Sequence, residues 1–74
     1  MKIAIINTMD KFDTIAGTVL STHRTREAAE REDASIQRLV RRHNGQNSYL
    51  PTIICEVDPK AKKGMRIHES LIID

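Results

Sequence analysis

Runs of apolar and polar positions divide the chain into segments whose periods predict four strands and one helix. Lys2 to Asn7 (KIAIIN) is β-branched and apolar, a strand, and the polar stretch Thr8 to Thr14 reads as a loop. Ile15 to His23 (IAGTVLSTH) is a second β-branched run. Antiparallel pairing with the first run makes a hairpin with a long connection, and Gly17 marks a bulge or a close backbone approach.

The next segment, from about Thr25 to His43, changes to a helical period. Thr25 is a good N-cap, acidic residues (Glu27, Glu30, Glu32, Asp33) fill the first half, Arg38, Arg41 and Arg42 fill the last turns, and Asn44-Gly45 supplies the stop. At 100° per residue, Ala29, Ile36, Leu39, Val40 and His43 form the inner stripe, opposite Glu27, Arg31, Ala34, Arg38 and Arg42. Glu32 and Asp33 flank the stripe where larger apolar residues are expected, so the N-terminal half is weakly anchored and its first turns are expected to overhang the sheet.

Beyond a polar connection, Tyr49 to Asp58 (YLPTIICEVD) reads as a third strand that begins near Pro51, Pro59 to Gly64 as a basic turn, and Met65 to Ile73 (MRIHESLII) as a fourth strand. The predicted fold is a single α+β domain over residues 1–74, of order β-β-α-β-β. A four-stranded, mainly antiparallel sheet carries the one helix on one face. The other face is then uncovered, and the parity that includes Ala4, Ile6, Ala16, Thr18, Leu20, Ile54 and Ile72 is too apolar for a solvated surface. Ala4, Ile6, Leu20, Ile54 and Ile72 are therefore the expected interface with another chain.

Composition sharpens that expectation. Of 74 residues, 39% are hydrophobic and 30% charged, and the only aromatics are Phe12 and Tyr49. A chain this short buries only about 60% of its unfolded surface, so its core is thin and a partner chain, a homodimer first of all, is the expected supplement. A single cysteine, Cys55, excludes an intrachain disulfide and any CxxC motif, which suits a reducing compartment. The apolar run at Met1 to Asn7 is shorter than a signal-peptide core, and no stretch approaches the ~20 apolar residues of a membrane span, so a cytoplasmic location without membrane contact is expected.

Candidate chemistry is sparse. His23, His43, Cys55 and His68 are legitimate zinc ligands, but no two stand at chelating spacing, so no metal and no cofactor are expected. Cys55 lies in an apolar β-branched run (TIICEV), where free cysteine packs as a small hydrophobe rather than a nucleophile. Asp10 with Asp13 and Glu56 with Asp58 read as turn and solvated-face carboxylates, and Gly17, Gly45 and Gly64 are isolated, which leaves no phosphate loop. No catalytic residue is nominated, no small-molecule substrate is evident, and an enzyme is not expected.

Two binding signals remain. The stronger is basic: Arg31, Arg38, Arg41 and Arg42 on the helix with Lys60, Lys62 and Lys63 in the last turn could hold a nucleic-acid phosphate backbone, whereas the same charge order also suits the helix dipole. Formal net charge is only +2, and the base-stacking aromatics of single-strand binders are missing. The weaker signal is Tyr49-Leu50-Pro51, either a loop recognition site or a plug for the sheet end. The expected function is a non-enzymatic interaction protein, self-associating through a sheet face or edge and modulating or inhibiting a partner. Nucleic-acid binding is the alternative.

Overall fold

In a computed structural model, the structure describes residues 1–67 and 71–73. Three strands and one helix follow in the order β1 (Lys2–Asn7), β2 (Val19–His23), α1 (Arg26–Asn44) and β3 (Thr52–Val57). They form an α+β domain with an antiparallel sheet of order β2-β1-β3. The most apolar strand, β1, is central, where both its faces are buried: Ile3, Ala4 and Ile5 are 0% exposed. Burying each isoleucine contributes roughly 1.5–3 kcal/mol.

Register sorts the side chains into two layers. Ile3, Ile5 and Ala29 form one core, with Leu20, Ile36 and Ile54 packed against it beneath α1. Ala4, Ile6, Val19, Cys55, Val57 and Ala61 form the other, on the opposite side of the sheet. Ile54 faces Ile5 across the β1–β3 ladder, so it belongs to the helix side. Leu20 reaches that side through a bulge: Ile5 pairs with Ser21 and Ile6 with Val19, which leaves Leu20 extra in the register. One added residue breaks the strict alternation along β2. Uniform alternation, which groups both residues with Ala4 and Ile6, fails at these two positions.

The predicted fourth strand does not form among the described residues. Residues 68–70, within its range, lie outside the described residues, and the remainder divides between the two edges of the sheet instead of pairing along one. On the β2 edge, Val19 N–H donates to the Met65 carbonyl and Gly64 N–H to the Val19 carbonyl, both at 2.8 Å, and Ile67 N–H donates to the Gly17 carbonyl. On the β3 edge, Asp58 N–H donates to the Leu71 carbonyl at 2.7 Å and Ile73 N–H to the Glu56 carbonyl at 2.8 Å. Ile67 and Ile72 pack onto the core opposite α1. Lys2 Nζ fastens the start of this strap by donating to the Pro59 and Ala61 carbonyls at 3.0 and 2.6 Å. This segment bonds part of each edge, Gly17 and Val19 on one side and Glu56 and Asp58 on the other, and lays Ile67 and Ile72 on the apolar face. The face expected to await another chain is covered by the chain's own C-terminal segment.

The predicted second strand is also shorter than Ile15–His23, because residues before Val19 form the turn that returns to β1. Buried Asn7 organises it: its Oδ1 accepts from Thr18 N–H at 2.8 Å, and its Nδ2 donates to the Met9 carbonyl at 3.2 Å. Gly17 adopts φ +87°, which only glycine takes without strain.

Helix α1 is capped as its sequence predicts. Thr25 Oγ1 accepts from Ala28 N–H at 3.1 Å, and Gly45 N–H donates to the Arg41 carbonyl at 3.0 Å. Its buried stripe, however, is rotated. Ala29 and Gln37 are the buried residues, whereas Leu39 and His43 of the predicted inner stripe are exposed. Asp33, expected to weaken the helix's seat, accepts from Thr52 Oγ1 at 2.8 Å at the start of β3. Gln37 Nε2 donates to the Leu50 carbonyl at 2.7 Å while its Oε1 accepts from Leu50 N–H at 3.0 Å. These ties set the helix position along the sheet. Thr52 pairs with Asn7, the last residue of β1, so α1 has already reached the end of the sheet by Asp33 and Gln37. The overhang is therefore at the C-terminal turns, not the first turns: residues 41–47 are all exposed.

Candidate interaction surface

The overhang carries the basic end of the helix. Arg38, Arg41 and Arg42 are exposed there, and none has a carboxylate three or four positions away on α1. Among the described residues, their one recorded side-chain partner is Ser35 Oγ, 3.3 Å from Arg38 Nη2. Leu39 sits among them, 52% exposed. Ser35, Arg38, Leu39, Arg41, Arg42 and Gln46 line an open concavity of about 620 Å³. An exposed apolar side chain that shares a concavity with three arginines offers an apolar contact beside cationic ones. The apolar pattern places Leu39 in the core, because the rotation imposed by Gln37 has no signature in that pattern.

The structure does not bring all the predicted basic residues together. Arg31, Arg38 and Arg42 are exposed along one side of α1 with Arg41 beside them, whereas Lys60, Lys62 and Lys63 flank Ala61, which is buried in the core on the other face of the sheet. The lysines and the arginines therefore do not form one continuous basic stripe.

The predicted interface residues are likewise dispersed. Ala4 and Ile6 are 0% and 3% exposed, and Ile72 is half-buried on the same core. Leu20 and Ile54 lie beneath α1. Of the Tyr49-Leu50-Pro51 segment, Leu50 is buried and held by Gln37, as a plug for the sheet end would be, and Tyr49 is exposed.

Nor do the histidines and the cysteine converge. His23 Nε2 is 2.9 Å from Ser21 Oγ on β2, His43 stands in the exposed last turn of α1, and His68 lies outside the described residues. Cys55 is buried opposite Ala4, and burial pushes its thiol pKa up against a smaller lowering by the Arg26 charge. Among the described residues no group of three His, Cys, Asp or Glu side chains is placed to hold a metal ion. A second concavity of about 430 Å³, lined by Met1, Lys2, Thr22, His23, Arg24 and Pro59, includes a lysine already committed to two carbonyls. No described helix is long and apolar enough to cross a membrane. No protein-family model, curated protein or solved structure matches this chain.

Proposed function

We infer that this protein is a non-enzymatic interaction module that docks an acidic protein surface through the overhanging end of α1. The observation that carries this is exposed Leu39 sharing one open concavity with Arg38, Arg41 and Arg42 on turns that project past the sheet. Arginine suits such a contact because its planar fork binds carboxylates bidentately and its weak hydration lowers the cost of desolvation. Leu39 supplies an apolar contact that a phosphate backbone would not use. The sheet face opposite α1 carries Ile67 and Ile72 of the same chain, so the contact is placed on the helix and not on that face. Separation of the lysine turn from the helix arginines also favours an acidic protein over nucleic acid.

Amide shifts of the ¹⁵N-labelled protein test this with three probes at low salt: a glutamate-rich peptide with a central leucine, the same peptide with serine there, and a DNA duplex. The leucine peptide should shift Arg38 to Arg42 and lose several-fold in affinity on the serine change. Absence of shifts there, equal affinity for both peptides, or duplex binding spread over both the arginines and Lys60 to Lys63 would overturn the reading.

A further inference from the structure

The exposed side of α1 carries an acidic block as well as a basic one, and the two are related by a symmetry. Glu27, Glu30, Ala34, Arg38 and Arg41 are all exposed, and at 100° per residue they fall within one stripe about 80° wide centred on Ala34. Glu27 and Arg41 stand seven positions either side of Ala34, and Glu30 and Arg38 four. The helix macrodipole accounts for Glu27 and Arg41, in the terminal turns, but its effect falls off within one turn and does not reach Glu30, which stands four positions after Arg26, or Arg38. Those two residues share Ala34 as a neighbour, and Arg38 has only Ser35 as a recorded side-chain partner among the described residues.

We propose that a second copy of the chain binds this side of α1 antiparallel, with Ala34 at the two-fold crossing. This goes beyond the acidic-surface reading: it shares Arg38 and Arg41 with that surface, while Leu39, about 140° round the helix from Ala34, faces away from the crossing. In that register Glu27 of each copy faces Arg41 of the other, and Glu30 faces Arg38, so the arrangement satisfies an isologous interface. Ala34 at the centre lets the helix axes approach closely. Because α1 overhangs its own sheet at the C-terminal end, the projecting arginines are free to lie along the acidic first half of the other copy's helix. The area is one helix face, smaller than the ~800 Å² per partner of a standard stable complex, so the dimer is weak, reversible and salt-sensitive.

Charge reversal with complementation tests the proposal by sedimentation equilibrium. The variants are Glu27→Arg with Glu30→Arg, and Arg38→Glu with Arg41→Glu, and circular dichroism confirms that each is folded. The wild type should dimerise at low salt and dissociate as salt rises. Either variant alone should associate at least about tenfold more weakly, and an equimolar mixture should recover to within about threefold of the wild type. A wild type that stays monomeric at about 1 mM and low salt, or variants that dimerise undiminished alone, would overturn it. If the mixture fails to recover while Arg38→Glu with Arg41→Glu abolishes binding of the leucine peptide, the contact surface stands and the second copy as its occupant falls.

Discussion

Replacing Gln37 with leucine should be the most damaging single change on α1, even though leucine is a better helix former and is comparable in size. The side-chain amide of Gln37 is buried, and it satisfies both the N–H and the C=O of Leu50, at 3.0 and 2.7 Å. Leu50 is itself buried, only 4% exposed, so neither backbone group has ready access to water. Leaving the two buried Leu50 groups unpaired costs about 2–6 kcal/mol, and added leucine burial returns about 1 kcal/mol, so the net loss is roughly 1–5 kcal/mol, about 3 kcal/mol at its middle. A domain of this length has a total stability of roughly 4–11 kcal/mol, so the change removes a large share of it. At about 4–8 °C per kcal/mol the melting temperature falls by roughly 10–30 °C, measurable by calorimetry or far-ultraviolet circular dichroism. A second variant separates hydrogen bonding from packing. Gln37→Glu keeps an acceptor for Leu50 N–H, but it presents a carboxylate to the Leu50 carbonyl unless the carboxyl is protonated. Burial beside that carbonyl raises its folded-state pKa above the unfolded value. The folded state then holds the proton more tightly, so the variant is most stable at acid pH and loses stability as pH rises through the carboxylate range. A Gln37→Leu protein within about 0.5 kcal/mol of the wild type would refute the claim that this amide satisfies otherwise unpaired backbone groups.

Three further outcomes follow from the caps and the strap. Thr25→Ala removes the side-chain acceptor for Ala28 N–H and should cost about 1 kcal/mol in urea denaturation with an unchanged m value. Gly45→Ala meets no close atom, its nearest being Ser48 Oγ at 3.8 Å, but it forces a side chain onto φ +110° and should cost about 1–3 kcal/mol by backbone strain alone. Cys55, buried and with its thiol pKa raised, should react with an aromatic disulfide at least about 100-fold more slowly in the native than in the unfolded protein. Ile67→Ser with Ile72→Ser should speed that reaction about tenfold by loosening the strap; equal rates would show that the strap does not cover this face.

Much of the fold is legible in the sequence because it is local. The β-branched run Lys2–Asn7 marks β1, and Thr25 and Gly45 mark the ends of α1 within a residue, since caps act on the nearest turn. What escaped depends on pairings that no local pattern encodes. The bulge at Leu20 and the pairing of Ile54 with Ile5 decide which face each side chain joins, and both are properties of register. The segment after Gly64 has the apolar content of a strand, but its described residues bond part of both edges instead of pairing along one. Gln37, polar and central to the helix seat, is hidden from any apolar periodicity, and with it the overhang of the C-terminal turns. Arg38, Arg41 and Arg42 were legible as a basic group, whereas Leu39 among them was not, because its exposure follows from the rotation of the helix.

The central claim, that the exposed side of α1 is the contact surface between copies, is tested most directly by an engineered cross-link. In a Cys55→Ala background, Ala34→Cys places a thiol at the proposed two-fold crossing, where the two copies' Cα atoms approach within the ~7 Å a disulfide spans. Glu27→Cys serves as the control, because at ~1.5 Å per residue it lies about 21 Å from its equivalent. Under mild oxidation at low salt, the account predicts that Ala34→Cys forms a disulfide-linked dimer about tenfold faster than Glu27→Cys, with the difference lost at high salt. Equal, slow cross-linking at both positions, as chance collision gives, would contradict it.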